Sequence, residues 1–119
     1  MNTANHRPGA HQLIAFENAV TTVEALRHVV VSVRRHDADL ARQLVRAASS
    51  VAANVAEGSH RVGKDRLHLF RVAAGSAEET RAHLRVALAW GYLTSSELEP
   101  SMNLLDRELR LLSGLTRSR

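Results

Sequence analysis

Residues 43–58 read QLVRAASSVAANVAEG, a stretch with no proline and no aromatic residue. Leu44, Ala47, Val51 and Val55 recur at spacings of three and four, and Leu40 extends the row upstream. That period marks the buried face of an α-helix, because side chains three and four apart lie above one another on one side. A second row, Gln43, Arg46, Ser50, Asn54 and Glu57, keeps the same period on another face. Asp37 has the short carboxylate that caps a helix start, and Gly58 predicts a C′ stop. The stretch is therefore one helix with an apolar face and a polar face.

Upstream, Phe16, Val20, Val23, Leu26, Val30 and Val33 predict a first helix over about His11 to Arg35, with Arg34, Arg35 and His36 complementing its C-terminal dipole. Downstream, after a turn through Ser59 to Gly63, a third helix is expected from about Lys64 to Tyr92. Leu67, Phe70, Ala74, Ala77, Leu84 and Leu88 form one seam of it, and Leu69, Ala73, Ser76, Thr80, His83, Ala87 and Trp90 form a second. Two seams imply contact from two sides. A fourth helix is expected near Ser96, which has capping-box spacing to Glu99, although Pro100 would also suit a first helical position. Leu98, Met102, Leu105, Leu109 and Leu112 supply its stripe, and Leu104, Leu111 and Leu115 lie beside it. Long helices joined by short connections must run antiparallel. The fold class predicted is all-α, an up-down-up-down four-helix bundle over residues 11–119 behind a flexible N-terminal arm at residues 1–10.

Composition narrows the function. Cysteine is absent from the 119 residues, which excludes disulfides, thiolate metal sites and thiol nucleophiles, and suits a reducing cytoplasm. The N-terminal residues lack the apolar core of a signal peptide, and no aliphatic run approaches a membrane span. A membrane partner is not expected. The formal charge is +4, and Lys64 is the single lysine beside fifteen arginines. Arginine suits phosphate and carboxylate alike, so charge by itself does not name the partner. Phe16, Phe70, Trp90 and Tyr92 are too few aromatics for a surface that stacks a series of bases.

No catalytic residue, metal ligand or cofactor is expected. His60 and His68 flank the middle turn at a spacing of eight, which is not a compact helical ligand pair, and no HExxH motif occurs. Glu78 with Glu79, and Glu97 with Glu99, are neighbouring carboxylates without a nucleophile, and read as solvated faces or helix-start charges. Ser59 to Gly63, SHRVG, is not a phosphate-cradling loop. Two groups remain. The stripe of Gln43, Arg46, Ser50, Asn54 and Glu57 faces Ser76 and Glu79 across an antiparallel hairpin, and reads either as a solvated side or as a hydrogen-bonded seam that sets register. The nucleic-acid-binding candidates are Arg34, Arg35 and Arg42 at the first junction and Arg61, Lys64 and Arg66 at the second. Arg71, Arg81 and Arg85 are expected to be occupied by Glu78 and other acidic neighbours, and Arg46 is assigned to the seam.

The stretches QLVRAASSVAANVAEG (43–58), FRVAAGSAEE (70–79) and WGYL (90–93) resemble, in order and spacing, the four-helix-bundle proteins of the 23S rRNA intervening-sequence family. The likeness covers about half the chain, residues 40–93. The aromatic-proline ending usual for the family's first helix is replaced by Arg35, His36 and Asp37. The resemblance implies an antiparallel bundle assembling as a homopentameric ring. A more distant similarity is to the accessory proteins of diversity-generating retroelements, basic bundles that engage a reverse transcriptase and nucleic acid. The expectation is a non-enzymatic assembly module that binds structured RNA or a ribonucleoprotein electrostatically. The alternative is a protein-binding scaffold, such as a reverse-transcriptase partner, with no direct nucleic-acid contact.

Overall fold

The computed structural model describes residues 9–117. It contains α1 (Ala10–His36), α2 (Ala38–Ser59), α3 (Gly63–Ala89) and α4 (Ser95–Thr116), and no strand among the described residues. The expected N-terminal arm falls almost wholly outside the described residues, and Ala10 is already helical. The bundle measures 53 × 21 × 20 Å. Paired side chains give its register: Gly58 of α2 lies against Phe70 of α3 while Ser50 meets Ser76, and Asn18 of α1 reaches Leu104 and Glu108 of α4. Rising numbers on α2 meet falling numbers on α3, so that pair is antiparallel. Among the described residues, no helix is long and apolar enough to cross a membrane.

Local chemistry explains the helix ends. Gln12 accepts from the Gly9 N–H at 2.7 Å, which satisfies a donor at the start of α1. One residue, Asp37, links α1 to α2: its N–H donates to the Val33 carbonyl at 2.8 Å, and its carboxylate accepts from the Leu40 N–H at 3.0 Å. Gly58 is not a helix stop. α2 continues through Ser59, and a Cβ on Gly58 would lie 2.8 Å from the Phe70 ring, so the glycine serves close helix packing. The left-handed stop is Gly91, with φ +81°. There the Tyr92 N–H donates to the Ala87 carbonyl and the Gly91 N–H to that of Leu88, a Schellman closure that ends α3 at Ala89, three residues before Tyr92. The capping box of α4 is Thr94 with Glu97, two residues earlier than the expected Ser96 and Glu99. Pro100 accordingly falls inside the helix, on its exposed side.

The buried rows are also rotated from those expected. α1 buries Ala15, Asn18, Ala19, Thr22, Leu26, Val29 and Val33, while Phe16, Val20, Val23 and Val30 are half-buried at the edges. In the first half of α1 small residues, Ala15, Ala19 and Thr22, occupy the centre line and let helices approach, and in the second half Leu26, Val29 and Val33 fill it. The two expected seams of α3 merge into one row, Phe70, Ala73, Ala77, Thr80, Leu84 and Ala87. α4 turns Leu98, Ser101, Leu105, Glu108 and Leu112 inward, leaving Met102 and Leu109 half-buried. Leu13, Ile14, Val31, Val45, Val62, Val72, Val86 and Trp90 remain exposed.

Candidate nucleic-acid interface

The first junction and the adjoining face of α1 and α2 carry the strongest cationic grouping. Arg34, Arg42 and Arg46 line one open groove of about 420 Å³ with Ala38 and Val45. Arg34 and Val45 also line the neighbouring groove, about 700 Å³, whose other residues include Arg27, His28, Glu24 and Val31. The two depressions share Arg34 and Val45 in their linings. Arg42 pairs with Asp39, which also accepts from Gln43 at 2.9 Å. Among the described residues, Arg27, Arg34, Arg35 and Arg46 form no ion pair with an acidic side chain. Their guanidinium groups keep planar, bidentate donors for an external anion.

The second junction differs. Arg61 is held by Glu57 at 2.7 Å, and Arg66 donates to the Gly58 and Ser59 carbonyls at 3.3 and 3.2 Å, capping the end of α2. Lys64 is exposed. Arg81 contacts Glu78 and Asp106, both at 3.5 Å, so its expected occupation by Glu78 is seen. The six expected binding residues therefore split between two ends, with the second set partly used in structure.

The expected polar seam contracts. Ser50 and Ser76 share a hydrogen bond of 2.9 Å, and Asn54 donates to the Ser50 carbonyl and hydroxyl at 2.8 and 2.9 Å. Arg46, Glu57 and Glu79 are exposed in the single chain, and Gln43 turns to Asp39 within its own helix. For Arg46, Glu57 and Glu79 the single chain shows the solvated side rather than a buried seam, because the α2–α3 contact is centred on alanines, valines, Gly58 and Phe70. The long polar side chains at its rim reach water instead. Glu57 and Glu79 consequently pair locally, with Arg61 and His83.

A different polar group is buried. Glu108, fully enclosed between α4 and α1, accepts from Asn18 at 2.8 Å through Oε1, while Oε2 has no hydrogen-bond partner among the described residues. Burial pushes its carboxyl up to about 7, against smaller opposing effects from the Asn18 hydrogen bond and Arg107. The space beside it, lined by Ala19, Thr22, Ala48, Val51 and Leu105, does not admit a water molecule. The space beside the carboxyl thus has no room for a substrate. Sequence reading passed over Glu108 by following the leucines of α4. The alternative spacing, Leu98, Ser101, Leu105, Glu108 and Leu112, held the signal. Among the described residues, no group of three histidine, aspartate or glutamate side chains is placed to hold a metal ion.

The same fold recurs in known proteins. Residues 11–114 match the family described as 23S rRNA-intervening sequence protein. The chain belongs to that family. A crystal structure of a protein of unknown function from the S23 ribosomal protein family of Bacteroides thetaiotaomicron is similar, with TM-score 0.77 and 18% sequence identity. The similarity covers 91% of this chain and 99% of that one, and supports the four-helix fold. No curated protein matches the chain. The family match extends beyond the hairpin motifs at residues 40–93 into α1 and α4.

Proposed function

We propose that this 23S rRNA-intervening sequence family member is a non-enzymatic binding module that engages structured RNA, or a ribonucleoprotein, through the α1–α2 face. The observation that carries the reading is the placement of Arg27, Arg34, Arg42 and Arg46 along two grooves that share Arg34 and Val45, with exposed Arg35 next to Arg34 in the chain. Arg46, first assigned to a seam, joins the binding set, and Arg61 and Arg66 leave its centre. Self-assembly is the second component of the proposal. A homopentamer would carry +20 from five chains of +4, turning an ordinary subunit charge into a concentrated positive field. Light scattering of the purified protein is expected to give about five chain masses. A concentration-independent monomer would remove the ring.

Binding should be dominated by phosphate and depend on salt. Arg34→Gln with Arg46→Gln is expected to flatten log affinity against log salt by about 1.5, since each lost contact retains counterions worth about 0.7 to 0.9 in slope. The Arg61→Gln, Lys64→Gln pair should change it less. A folded protein with no RNA affinity at about 50 mM salt, where such binding is strongest, would sink the RNA reading. The second reading, a protein-binding scaffold such as a reverse-transcriptase accessory subunit, is favoured by exposed Val31 and Val45 within the same grooves. It predicts a complex that survives nuclease and high salt.

A further inference from the structure

The four aromatic residues divide sharply. Phe70 is buried in the core and Phe16 packs at its edge, whereas Tyr92 stacks on His36 at the end of the bundle where α1 joins α2, and Trp90 stacks on Tyr92. The Tyr92 and His36 rings stack with centroids 4.9 Å apart and planes 3° apart, and Trp90 follows Tyr92 at 6.5 Å and 15°. Trp90 is 71% exposed. An isolated exposed apolar residue needs no functional account, but this indole is the open end of a nearly parallel ladder of rings. The ladder is also held in place. Gly91, left-handed between Trp90 and Tyr92, closes α3 through the two Schellman hydrogen bonds, while Tyr92 packs partly against the core.

Charge at this end suits an anion. Arg34 and Arg35 immediately precede His36 and form no ion pair among the described residues. The nearby carboxylates are engaged: Asp37 caps α2, Asp39 holds Arg42 and Gln43, and Glu97 accepts from Thr94. A preformed aromatic stack at the same helix end as two arginines without an ion pair among the described residues matches a base attached to a phosphodiester. Base–aromatic stacking requires no particular base because every base has a π-face.

We propose that the Trp90–Tyr92–His36 ladder is a stacking site for an unpaired nucleobase, with Arg34 and Arg35 contacting the flanking phosphates. The site rests on the RNA-binding reading above and adds a preference for single-stranded loops or ends over continuous duplex. An A-form duplex keeps its bases stacked inside and unavailable to the indole.

Trp90 is the only tryptophan, so its emission reports directly on the ladder. The full chain is titrated with a short labelled single-stranded RNA and with the same RNA annealed to its complement, following label anisotropy and Trp90 emission together. The single strand is expected to quench Trp90 along the same binding curve that anisotropy gives, and the duplex is expected to leave it unquenched. Trp90→Ala should weaken single-strand binding roughly ten-fold, within the range measured for loss of a base–aromatic stack. Duplex binding should be unchanged, and Trp90→Phe should retain most of the single-strand affinity. Because the side chain is exposed, helicity and melting temperature of Trp90→Ala should match the parent. Equal affinity for both RNAs with Trp90 unquenched would overturn the stacking site while leaving electrostatic RNA binding intact. Absence of binding to either RNA would overturn both. Emission that shifts with protein concentration alone, and is then insensitive to RNA, would assign the ladder to a contact between copies and overturn the stacking site.

Discussion

The α1–α4 and α2–α3 contacts each contain polar residues but treat them in opposite ways. Between α2 and α3, where the sequence displays a long polar stripe, only half-buried Ser50, Ser76 and Asn54 hydrogen-bond to one another beside an apolar contact, and the charged members Arg46, Glu57 and Glu79 stand in water. Between α1 and α4, where the sequence displays leucines, a glutamate is fully enclosed and held by one asparagine. Periodic polarity and burial are therefore separate properties. A polar row at a helix rim is solvated, whereas one carboxyl on the centre line is trapped by its neighbours.

The largest expected effect belongs to the enclosed site. In the folded chain the Glu108 carboxyl titrates near 7, above its ordinary value of 4.5. The folded state then holds a proton that the unfolded state releases between those values, so the favourable contribution is full below about pH 4.5 and is lost as pH rises toward 7. Over that window the group should lower stability by roughly 3 kcal/mol, because each ten-fold difference in proton affinity between the folded and unfolded chain is worth about 1.4 kcal/mol. Glu108→Gln should remove this component of the pH dependence and exceed the parent in urea stability at pH 8, while differing little near pH 4. Superimposable pH profiles for parent and variant would show that Glu108 is ionised and solvated, erasing the contrast between the two contacts.

The α2–α3 contact can be broken at its closest approach. Gly58→Ala places a methyl group against the buried Phe70 ring and is expected to cost about 1 to 3 kcal/mol, the usual range for overpacking. Gly58→Asn should be worse than alanine. A left-handed helix stop would give the reverse order, since asparagine tolerates that conformation. Thermal melts of the two variants distinguish these accounts.

The smallest effect is expected at the rim. Glu79, whose side chain is 46% exposed beside His83, should lose at most about 1 kcal/mol on replacement by alanine, as surface pairs do. A loss of about 3 to 5 kcal/mol, typical of a stranded buried charge, would show that assembly encloses this edge. Urea melts at several protein concentrations separate the two results.

Much of the architecture was legible in the chain. The Asp37 joint, the apolar row from Leu40 to Val55 and the order of four helices follow from local periodicity and capping, which depend on residues within a few positions of one another. The ends of α2 and α3 were less legible. Gly58 and Gly91 look alike in sequence, yet one permits a neighbouring phenylalanine to approach and the other takes up positive φ. The cationic candidates show the same limit: Arg34 and Arg61 both sit near a helix end, but Glu57 is within reach of Arg61 alone. Arg46 shares a face with Ser50 and Asn54 yet is exposed, because helical phase gives a face without saying whether another helix covers it.

The sequence by itself determined an all-α chain, its four segments, its cationic character and its family motifs, because these depend on composition and short-range spacing. Only the tertiary structure decided which of two adjacent rows on each helix turns inward, since a rotation of about 100° per residue separates neighbouring rows that periodicity leaves almost equivalent. That rotation encloses Glu108, exposes Arg46 beside Arg34, and brings His36 against Tyr92 across 56 residues of chain. Helix packing chooses among the rows by how closely the small residues of one helix let another approach.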